Sequence, residues 1–497
     1  MSLASDMPEV HAHWSPNEKV ACEEAIGVSY VGGRALVSMK HVGLNVAMDP
    51  FVNSAFLELN GGLVVVAADD PGMHSSQNEQ DSRCLADFAR VPCLEPHNQQ
   101  QCYDMTRAAF DISEQYHLPV MIRIPTRLAH SRSQVKTGPA VTDDRTVHFE
   151  KEVNNWVLAP SISPTRLKAL IHKNKDIATD EQAQRWNRIP AGRGSIPLGI
   201  VASGITSNYI AEVQKLMSTD LPVCHIGLFP FDTRAVKPFV HSCGQVLVIE
   251  DGSPYLEQKI CLLSSDQSQV LGRQSGHIPT TGELNPRIVM QAVAQALGRQ
   301  TEELKPVDLP LELTRRPPEL CQGCSHRDTF TALKQAISSH PDTVVFGDIG
   351  CYTLGWLPPF SAIDTTVCMG ASIGMAKGAA EGGLKHPVAI IGDSTFLHTG
   401  INGLLGAAAE NTPMTVIIFN NSTTGMTGGQ PLLLDGEKLR QLVIGLGVDP
   451  AHVRNITALP ARHDEMAKVI AAEMDHAGLS VISSSRECIQ TVKRSKT

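Results

Sequence analysis

Short apolar runs alternate with helical patterns through three blocks of this chain. Each run is almost continuously apolar and is bounded by Gly, Pro, Asn or Asp, which is the pattern of a strand buried on both faces of a parallel sheet. The runs are RALVSM (34–39), GLVVVAA (62–68), LPVMIRI (118–124), PLGIVASG (197–204), LPVCHIGL (221–228), GQVLVIEDG (244–252), TVVFGDIG (343–350), PVAIIGDS (387–394), MTVIIFNN (414–421) and LSVISSS (479–485). The predicted fold class is therefore α/β, with three parallel-sheet domains.

The blocks also predict the domain boundaries. We expect domains at 1–142, 197–302 and 320–497. The segment 143–196 is polar, with basic residues, and is interpreted as a linker with some helix. The segment 303–319 is rich in Pro and is interpreted as a second linker.

The first helix has a recognisable start. Ser15 is the predicted N-cap, Pro16 follows at the first helical position, and Glu18 stands at the third. In that arrangement Glu18 serves the helix by capping it. A carboxylate at this position could instead serve a cofactor, but the sequence position alone favours the capping role.

Composition narrows the function classes. Hydrophobic residues make up 42% of the chain and charged residues 19%, so large cores are expected and disorder is not. A net charge of −9 argues against nucleic acid or an anionic membrane as the main partner. No apolar stretch is long enough to span a membrane, the N-terminus lacks an export signal, and the 12 cysteines form no disulfide framework. We therefore expect a cytoplasmic protein.

The most specific motif is a pair of polar strand ends. Gly392, Asp393 and Ser394 end one apolar run, and Asn421 ends the next, with Thr423 shortly after it. Adjacent parallel strands deliver ligands at their carboxyl ends, and Mg²⁺ prefers oxygen ligands completed by phosphate. The pattern predicts a magnesium diphosphate site of the kind found in thiamine diphosphate enzymes, with Asp393, Asn421 and the Thr423 carbonyl as metal ligands. Ser394 also opens a helix, whose N-terminus favours an anion.

Two further strand ends carry candidate chemistry. Lys40 and His41 follow the first strand, where a cation and an imidazole could hold a substrate carboxylate and move protons; an exposed Lys and a capping His are the plain alternative. The loop that follows the second strand, 69–76, is rich in turn formers and is also explained as an ordinary loop.

The third block contains more candidate residues. Cys321 and Cys324 form half of a metal site, for which a zinc ion would need two more ligands. Cys351 and Cys368 could complete it only by coincidence, so we do not predict a metal there. His326, just before a helix, suits a cofactor or substrate pocket better.

Small residues and a second histidine complete the candidate set. Gly350 and Cys351 follow a strand, where glycine lets the backbone approach a ligand. Met369 could lie under the bent cofactor and Gly370 could allow close packing, unless this stretch is ordinary helix packing. His398 could face the thiazolium or simply face solvent.

The quoted motifs resemble one family. NEKVACEEAIG, ALVSMKHVGLNVAMDP, ADDPGMHSSQNEQD, LCQGCSHRDTF, FGDIGCYTLG, DTTVCMGASIGMAKG and GDSTFLHTGINGL followed by NNSTTGMTGGQ are similar to the alpha subunit of indolepyruvate ferredoxin oxidoreductase, a branch of the 2-oxoacid:ferredoxin oxidoreductases. The resemblance implies a pyrimidine-binding domain, a transketolase C-terminal-like domain and a diphosphate-binding domain, in that order.

The resemblance also implies residue roles. Glu18 would be the glutamate that activates the cofactor through its aminopyrimidine, and Lys40, His41, His326 and His398 would line the active site. Family members usually begin about fifty residues earlier, with a βα unit that contains a motif resembling YPGTPS, and usually end in a ferredoxin-like domain. Neither is present in this sequence, so we assign no iron–sulfur cluster to it and leave its electron acceptor open.

The implied activity is oxidative decarboxylation of an aryl 2-oxoacid to an acyl-CoA, with electrons passing to iron–sulfur centres on a partner. The implied partners are coenzyme A, ferredoxin or another acceptor, and a second copy or a beta/gamma-type subunit. A non-oxidative decarboxylase or carboligase and a non-catalytic paralogue remain as alternatives.

Overall fold

The structure is a computed structural model, and it describes residues 7, 10–140, 147–149, 151–192, 194–300, 318–434 and 436–494. The chain divides into two compact units, Met1–Val307 and Asp308–Thr497. Most of the predicted 303–319 linker, and residues 143–146 of the other, lie outside the described residues.

The described residues of the first unit form two sheets. The first has the order β1-β2-β4-β3-β7, parallel except for the antiparallel β3–β7 pair, and the second is a parallel sheet of order β6-β5-β8-β9. The strands are β1 Ala35–Lys40, β2 Leu63–Asp69, β3 Cys93–Leu94, β4 Val120–Pro125, β5 Ile196–Ser203, β6 Val223–Ile226, β7 Leu228–Phe229, β8 Cys243–Ile249 and β9 Val270–Leu271. The helices are α1 Glu18–Tyr30, α2 His41–Ser54, α3 Ser82–Ala89, α4 Gln99–Tyr116, α5 Thr126–Ala129, α6 Val153–Trp156, α7 Ser163–Thr179, α8 Glu181–Gln184, α9 Thr206–Met217, α10 Thr233–Ser242, α11 Tyr255–Cys261 and α12 Pro286–Ala296.

The second unit contains one parallel sheet of order β11-β10-β12-β13-β15-β14. Its strands are β10 Thr343–Gly347, β11 Thr365–Thr366, β12 His386–Gly392, β13 Met414–Asn420, β14 Val453–Thr457 and β15 Leu479–Ser485. Its helices are α13 Ser325–Ile337, α14 Ala371–Glu381, α15 Asp393–Thr395, α16 Ile401–Ala409, α17 Gly436–Gly445, α18 His463–Met474 and α19 Ile489–Arg494, with a π turn at Phe396–Gly400. The prediction of an α/β fold built on three parallel sheets is confirmed, apart from the antiparallel β7.

The third sheet shows why its strands are continuously apolar. Successive residues of a strand point to opposite faces. Ile390 and Ile417 pack into the core on one face, whereas Ile391 and Ile418 pack into the core on the other. Because helices cover both faces, both faces of such a strand are buried and most of its positions are apolar.

The segment interpreted as a linker is not merely a connection. It carries α7, whose Leu170 and Ile177 join the core of the first sheet. Arg166 donates to the Phe56 carbonyl at 2.7 Å and pairs with Glu58 at 2.5 Å. Three of its side chains therefore pack on the first sheet domain, a role that its polar composition did not reveal.

The helix start was predicted two residues too early. The N-cap of α1 is Asn17, whose side chain accepts the N–H of Val20, so Ser15 is not the cap. Asn and Ser cap equally well, and the sequence offered both. With Asn17 as N-cap, Glu18 is the first helical residue and cannot act as the third residue of a capping box.

A charged network lies in the interior of the first unit. Arg83 and Arg123 are fully or almost fully buried. Five buried carboxylates belong to the same region, namely Asp69, Asp81, Glu95, Glu250 and Asp251. Arg83 pairs with Glu250 at 2.9 Å and donates to the carbonyl of Asp251 at 3.2 Å, while Arg123 donates to that same carbonyl at 2.8 Å. The network ties the loops of the first sheet to those of the second.

No helix among the described residues combines the length and the apolar character needed to cross a membrane.

Candidate active site

The two polar strand ends of the third sheet meet. β12 and β13 are adjacent and parallel, so the residues that follow them lie at one edge. The Asp393 carboxylate accepts the backbone N–H of Asn421 at 2.9 Å, of Ser422 at 2.8 Å and of Ser394 at 2.7 Å. The Ser394 hydroxyl lies 2.8 Å from that of Thr424. The predicted cofactor-binding segments are therefore brought together.

The three predicted metal ligands converge in space. One end of the Asn421 side-chain amide lies 3.3 Å from each Asp393 carboxylate oxygen and 2.8 Å from the Thr423 carbonyl oxygen. If the amide oxygen occupies that end, oxygen atoms of all three residues face one another. If the amide nitrogen occupies it, that nitrogen donates to the Asp393 carboxylate and to the Thr423 carbonyl. Neighbouring ligands around Mg²⁺ at 2.0–2.1 Å are about 2.9 Å apart. The donor set therefore fits a magnesium ion.

Burial sets the electrostatics of this site. Asp393 is 2% exposed, and burial raises its pKa to about 7 against the opposing effect of its backbone hydrogen bonds. A charged carboxylate deprived of water is stabilised by a divalent cation beside it. The fit to a cation is thus electrostatic as well as geometric.

Two of the candidate glycines make room for a tyrosine. A Cβ on Gly350 would lie 2.3 Å from the Tyr352 ring, and one on Gly392 would lie 2.6 Å from it. The Tyr352 hydroxyl donates to the buried Asp348, whose other carboxylate oxygen accepts from the Ser372 hydroxyl at 2.8 Å. Burial raises the pKa of Asp348 to about 6. Gly350 therefore makes room for the Tyr352 ring. The sequence had suggested instead that it lets the backbone approach a ligand.

A second close contact fixes the turn after Asp393. Gly370 has φ +83°, and a Cβ there would lie 1.9 Å from the Thr399 hydroxyl oxygen. That hydroxyl donates to the Met369 carbonyl at 3.1 Å and lies 3.2 Å from Nδ1 of His398. His398 is buried within the π turn, so the alternative that it simply faces solvent is wrong. Single π turns in helices are frequent at functional sites.

His326 is packed among aromatic rings on the first turn of α13. It is 3% exposed, and its ring lies 5.4 Å from Phe419 and 6.3 Å from Tyr352. Burial, together with the nearby Arg486, lowers the pKa of His326 to about 4. It is therefore a neutral imidazole at neutral pH.

Four thiols lie near one another in the second unit, namely Cys321, Cys324, Cys351 and Cys488. Burial raises the pKa of Cys351 to about 11, and the other three thiols add to that effect. The fourth thiol is that of Cys488, which lies far from the other three in sequence. Cys368, the other cysteine considered as a ligand from the sequence, is exposed. A single zinc ion would need sulfurs about 3.8 Å apart, and no group of three or more such ligands in the described parts of the chain is arranged to hold one metal ion.

In the first unit, Glu18 lies against helix α2. A Cβ on Gly43 would come within 2.6 Å of Oε1 and 2.7 Å of Cγ of Glu18. A larger residue at position 43 would force the Glu18 side chain to move. Gly43 lies in the first turn of α2, directly after the strand end that carries Lys40.

Lys40 and His41 have different surroundings. Lys40 is exposed, and its Nζ donates to the carbonyl of Ser75 at 3.0 Å and to its hydroxyl at 3.3 Å. His41 is fully buried, with its ring nitrogens 3.3 Å from the carbonyl oxygens of Ala68 and Asn78. Both ring nitrogens of His41 therefore face backbone acceptors, which suits a residue that holds the loop in place. These contacts hold the loop that follows β2 at Ser75 and Asn78.

Comparison with known proteins identifies the family. The description "Pyruvate flavodoxin/ferredoxin oxidoreductase, thiamine diP-bdg" matches residues 5–190, and "Thiamine pyrophosphate enzyme, C-terminal TPP binding domain" matches residues 348–484. The indolepyruvate oxidoreductase subunit IorA of Archaeoglobus fulgidus is 34% identical over 97% of this chain and 79% of its own length. That of Methanothermobacter thermautotrophicus is also 34% identical, over 97% of this chain and 80% of its own. The chain belongs to this family of indolepyruvate oxidoreductase alpha subunits.

Membership of this family establishes the general class of reaction. The protein is an oxidoreductase of the thiamine diphosphate-dependent 2-oxoacid class. A solved structure of the 4-hydroxybenzoylformate decarboxylase of Rhodococcus jostii is also similar, with 15% identity, a TM-score of 0.28 and coverage of 95% of this chain and 91% of that one. The fold assignment rests on the sheets described above.

Some residues of this site escaped the sequence-based prediction. Asp348, Tyr352 and Ser372 form one buried network; they lie within the quoted motifs FGDIGCYTLG and DTTVCMGASIGMAKG, but nothing in the sequence was a reason to assign them a role. The Tyr352 position could have been inferred only from the glycines that its ring requires. Cys488 had no partner within its own sequence neighbourhood.

Proposed function

We propose that this chain catalyses the thiamine diphosphate-dependent oxidative decarboxylation of an aryl 2-oxoacid, such as indolepyruvate, to an acyl-CoA. The observation that carries the proposal is the convergence of the Asp393, Asn421 and Thr423 oxygens at adjacent strand ends. A chain of this family needs that donor set to hold a magnesium diphosphate. The named substrate of the relatives supports an aryl 2-oxoacid.

Asp393, the side chain of Asn421 and the carbonyl of Thr423 would hold Mg²⁺, which in turn would hold the diphosphate. When bound, the cofactor supplies an electron sink for the pair released with carbon dioxide. The remaining work belongs to side chains of this protein.

Glu18 would hold a proton at the aminopyrimidine nitrogen of the cofactor. Two observations support this assignment. Glu18 is the first helical residue and forms no capping box, and its side chain lies against Gly43. Lys40 would bind the substrate carboxylate, since its ammonium is exposed at the carboxyl end of β1. His398 is buried beside the Asp393 turn, which supports a role in excluding water and holding a proton near the reacting atoms. His326, being neutral, suits hydrogen bonding rather than anion binding.

His41 is proposed in a different role from the one that the sequence suggested. Its buried ring faces two backbone carbonyls. We therefore assign it to holding the active-site loop rather than to proton transfer.

The electrons would leave through iron–sulfur centres. The thiols of Cys324, Cys488 and Cys321 all lie close enough to Cys351 to raise its pKa, and four cysteine thiolates are the usual ligands of an iron–sulfur cluster. The sequence alone led us to assign no cluster to this chain; from the four thiols we now propose one such centre here, in addition to centres on a partner. Iron and acid-labile sulfide would be measured after anaerobic purification. Equal contents in the wild type and in Cys351→Ser would exclude the cluster.

The proposed partners are coenzyme A, a beta-type subunit or a second copy of the chain, and ferredoxin or a comparable acceptor, in the cytoplasm. The acyl-CoA product requires the thiol, and two single-electron transfers require an acceptor.

The test combines binding with turnover. The purified protein, alone and with its co-purifying subunit, is titrated with thiamine diphosphate and Mg²⁺ by calorimetry. Indolepyruvate and coenzyme A are then added, and carbon dioxide and acyl-CoA are followed with and without a dye acceptor. Tight binding with acceptor-dependent acyl-CoA formation is the expected result.

Other results would select the alternatives. Turnover to an aldehyde without an acceptor would mean a non-oxidative decarboxylase. Failure to bind the cofactor even in the presence of the partner would mean a non-catalytic paralogue.

A further inference from the structure

The turn after β2 is built around one buried carboxylate. Asp70 is 3% exposed. It accepts the backbone N–H of His74 at 3.2 Å and of Ser75 at 2.8 Å, the hydroxyl of Ser76 at 2.7 Å and the hydroxyl of Thr126 at 2.8 Å. Four donors from two segments of the chain therefore converge on a single side chain.

These donors keep Asp70 ionised. Burial alone would favour the neutral acid, but the hydrogen bonds from Ser75, Ser76, Thr126 and His74 hold its pKa well below its usual range. An ionised carboxylate offers only acceptors, so all four donors are satisfied at once and the turn has one preferred geometry.

The same turn presents acceptors to Lys40. Ser75 is fixed through its N–H by Asp70, and its carbonyl and hydroxyl oxygens receive the Lys40 Nζ. A lysine side chain is flexible and loses much rotamer freedom when it is fixed. An ammonium carries three N–H groups, so these two contacts leave one donor for a further acceptor.

The rest of the loop has anchors of its own. Glu79 accepts the N–H of Gly72 at 3.1 Å and that of Gly282 at 3.1 Å, and His41 lies 3.3 Å from the carbonyl of Asn78. The contribution of Asp70 is thus concentrated on the stretch that contains Ser75.

We propose that Asp70 is a positioning residue for 2-oxoacid binding, which fixes Ser75 so that Ser75 aims the Lys40 ammonium at the substrate carboxylate. The proposal rests on the proposed function, in which Lys40 binds that carboxylate. Without Asp70 the ammonium would have to be ordered at each binding event, which weakens binding of the substrate.

The test is a double-mutant cycle on the complete enzyme. Asp70→Asn should raise the KM for indolepyruvate about tenfold and change kcat less than about threefold, since it acts through ground-state binding. In the Lys40→Met background, Asp70→Asn should raise KM no further, because coupled residues are not additive. Equal effects in both backgrounds, or an unchanged KM, would overturn the proposal.

Two more variants complete the design. Asp111→Asn removes an exposed carboxylate that pairs with Arg34 at 3.1 Å in the same domain, and its KM should equal that of the wild type. Ser75→Ala removes one of the two oxygen acceptors of Lys40, at an exposed position. It should raise KM by a smaller factor than Asp70→Asn does, and it should not raise KM in the Lys40→Met background. If Asp70→Asn fails to fold, this second cycle decides, and additivity there would refute the coupling.

The two proposals fail in different ways. A wild-type enzyme that binds its cofactor but does not consume indolepyruvate would refute the proposed function. Normal wild-type turnover with uncoupled Asp70 and Lys40 variants would refute only the positioning role.

Discussion

Gly43→Ala is a test of the Glu18 assignment that removes no titratable group. The new Cβ would lie 2.6 Å from Oε1, 2.7 Å from Cγ and 2.8 Å from Cδ of Glu18, all far inside ordinary van der Waals contact at 3.4 Å. To restore ordinary contact, the carboxylate must move by about 0.8 Å or turn to another rotamer. The substitution therefore displaces the Glu18 carboxylate and leaves its chemistry unchanged.

The magnitude follows from the displacement. A shift of about 1 Å in a positioned catalytic group costs up to about a hundredfold in rate, so proton exchange at C2 of the bound cofactor should slow by roughly tenfold to a hundredfold. Stability should change little. Ala gains up to about 1 kcal/mol of helix propensity over Gly, and moving Glu18 off its rotamer costs about the same.

The assay is exchange of the C2 proton for deuterium in enzyme-bound thiamine diphosphate, measured by acid quench and NMR. Gly27→Ala is the matched control, because Gly27 lies in α1 and its added Cβ meets nothing within 4 Å. It should leave exchange unchanged and raise the melting temperature slightly. Glu18→Gln should bind cofactor with near-normal affinity and lose exchange.

One pattern of results would refute the reasoning. If Gly43→Ala and Glu18→Gln both exchange C2 at the wild-type rate while binding the cofactor, Glu18 does not activate it. Its place against Gly43 would then be a packing contact only.

Three further predictions concern the rest of the structure. Asp393→Asn should weaken Mg²⁺-dependent cofactor binding at least a hundredfold by calorimetry, whereas the exposed Asp475→Asn should leave it unchanged; unchanged binding in Asp393→Asn would remove the metal assignment. Gly370→Ala should destabilise the second unit by about 1–3 kcal/mol in denaturant melts, because a positive φ is strained for Ala and its Cβ would collide with Thr399; a melt equal to the wild type would contradict the contact. Burial raises the pKa of Glu250 from 4.5 to about 7, so the folded chain binds a proton that the unfolded chain releases, and this group makes stability fall by about 3 kcal/mol as pH rises from about 4.5 to 7. Glu250→Gln should therefore flatten the pH dependence of unfolding across that window, and an unchanged slope between about pH 4.5 and 7 would show that Glu250 titrates normally.

The sequence predicted the elements that carry the site better than the contacts within it. The runs ending at Gly392 and Asn420 were recognised because strands covered on both faces are apolar at most positions. The carboxylate and amide that follow them stood out for the same reason, as polar residues at the ends of apolar runs. Their convergence followed from parallel pairing of neighbouring strands, which is a rule of topology.

Shorter elements were missed where local pattern is weak. β3 and β7 have two residues each, too few for any periodicity to appear. β7 also pairs antiparallel with a strand that precedes it by more than a hundred residues, so only the folded chain brings the pair together. The helix begins after Asn17 and not after Ser15, although both residues can cap; in the folded chain the Ser15 hydroxyl donates to Glu24 instead.

By itself the sequence determined the fold class, the family and the strand ends at which polar residues gather, because burial on two faces imprints a long and regular pattern. Only the tertiary structure decided what each of those residues touches. It placed Glu18 against Gly43, His41 between two backbone carbonyls, the Tyr352 ring against Gly350, and Lys40 on a turn held by Asp70. Such contacts join residues that are distant in sequence and depend on distances of a few tenths of an ångström, which no pattern along a single chain records.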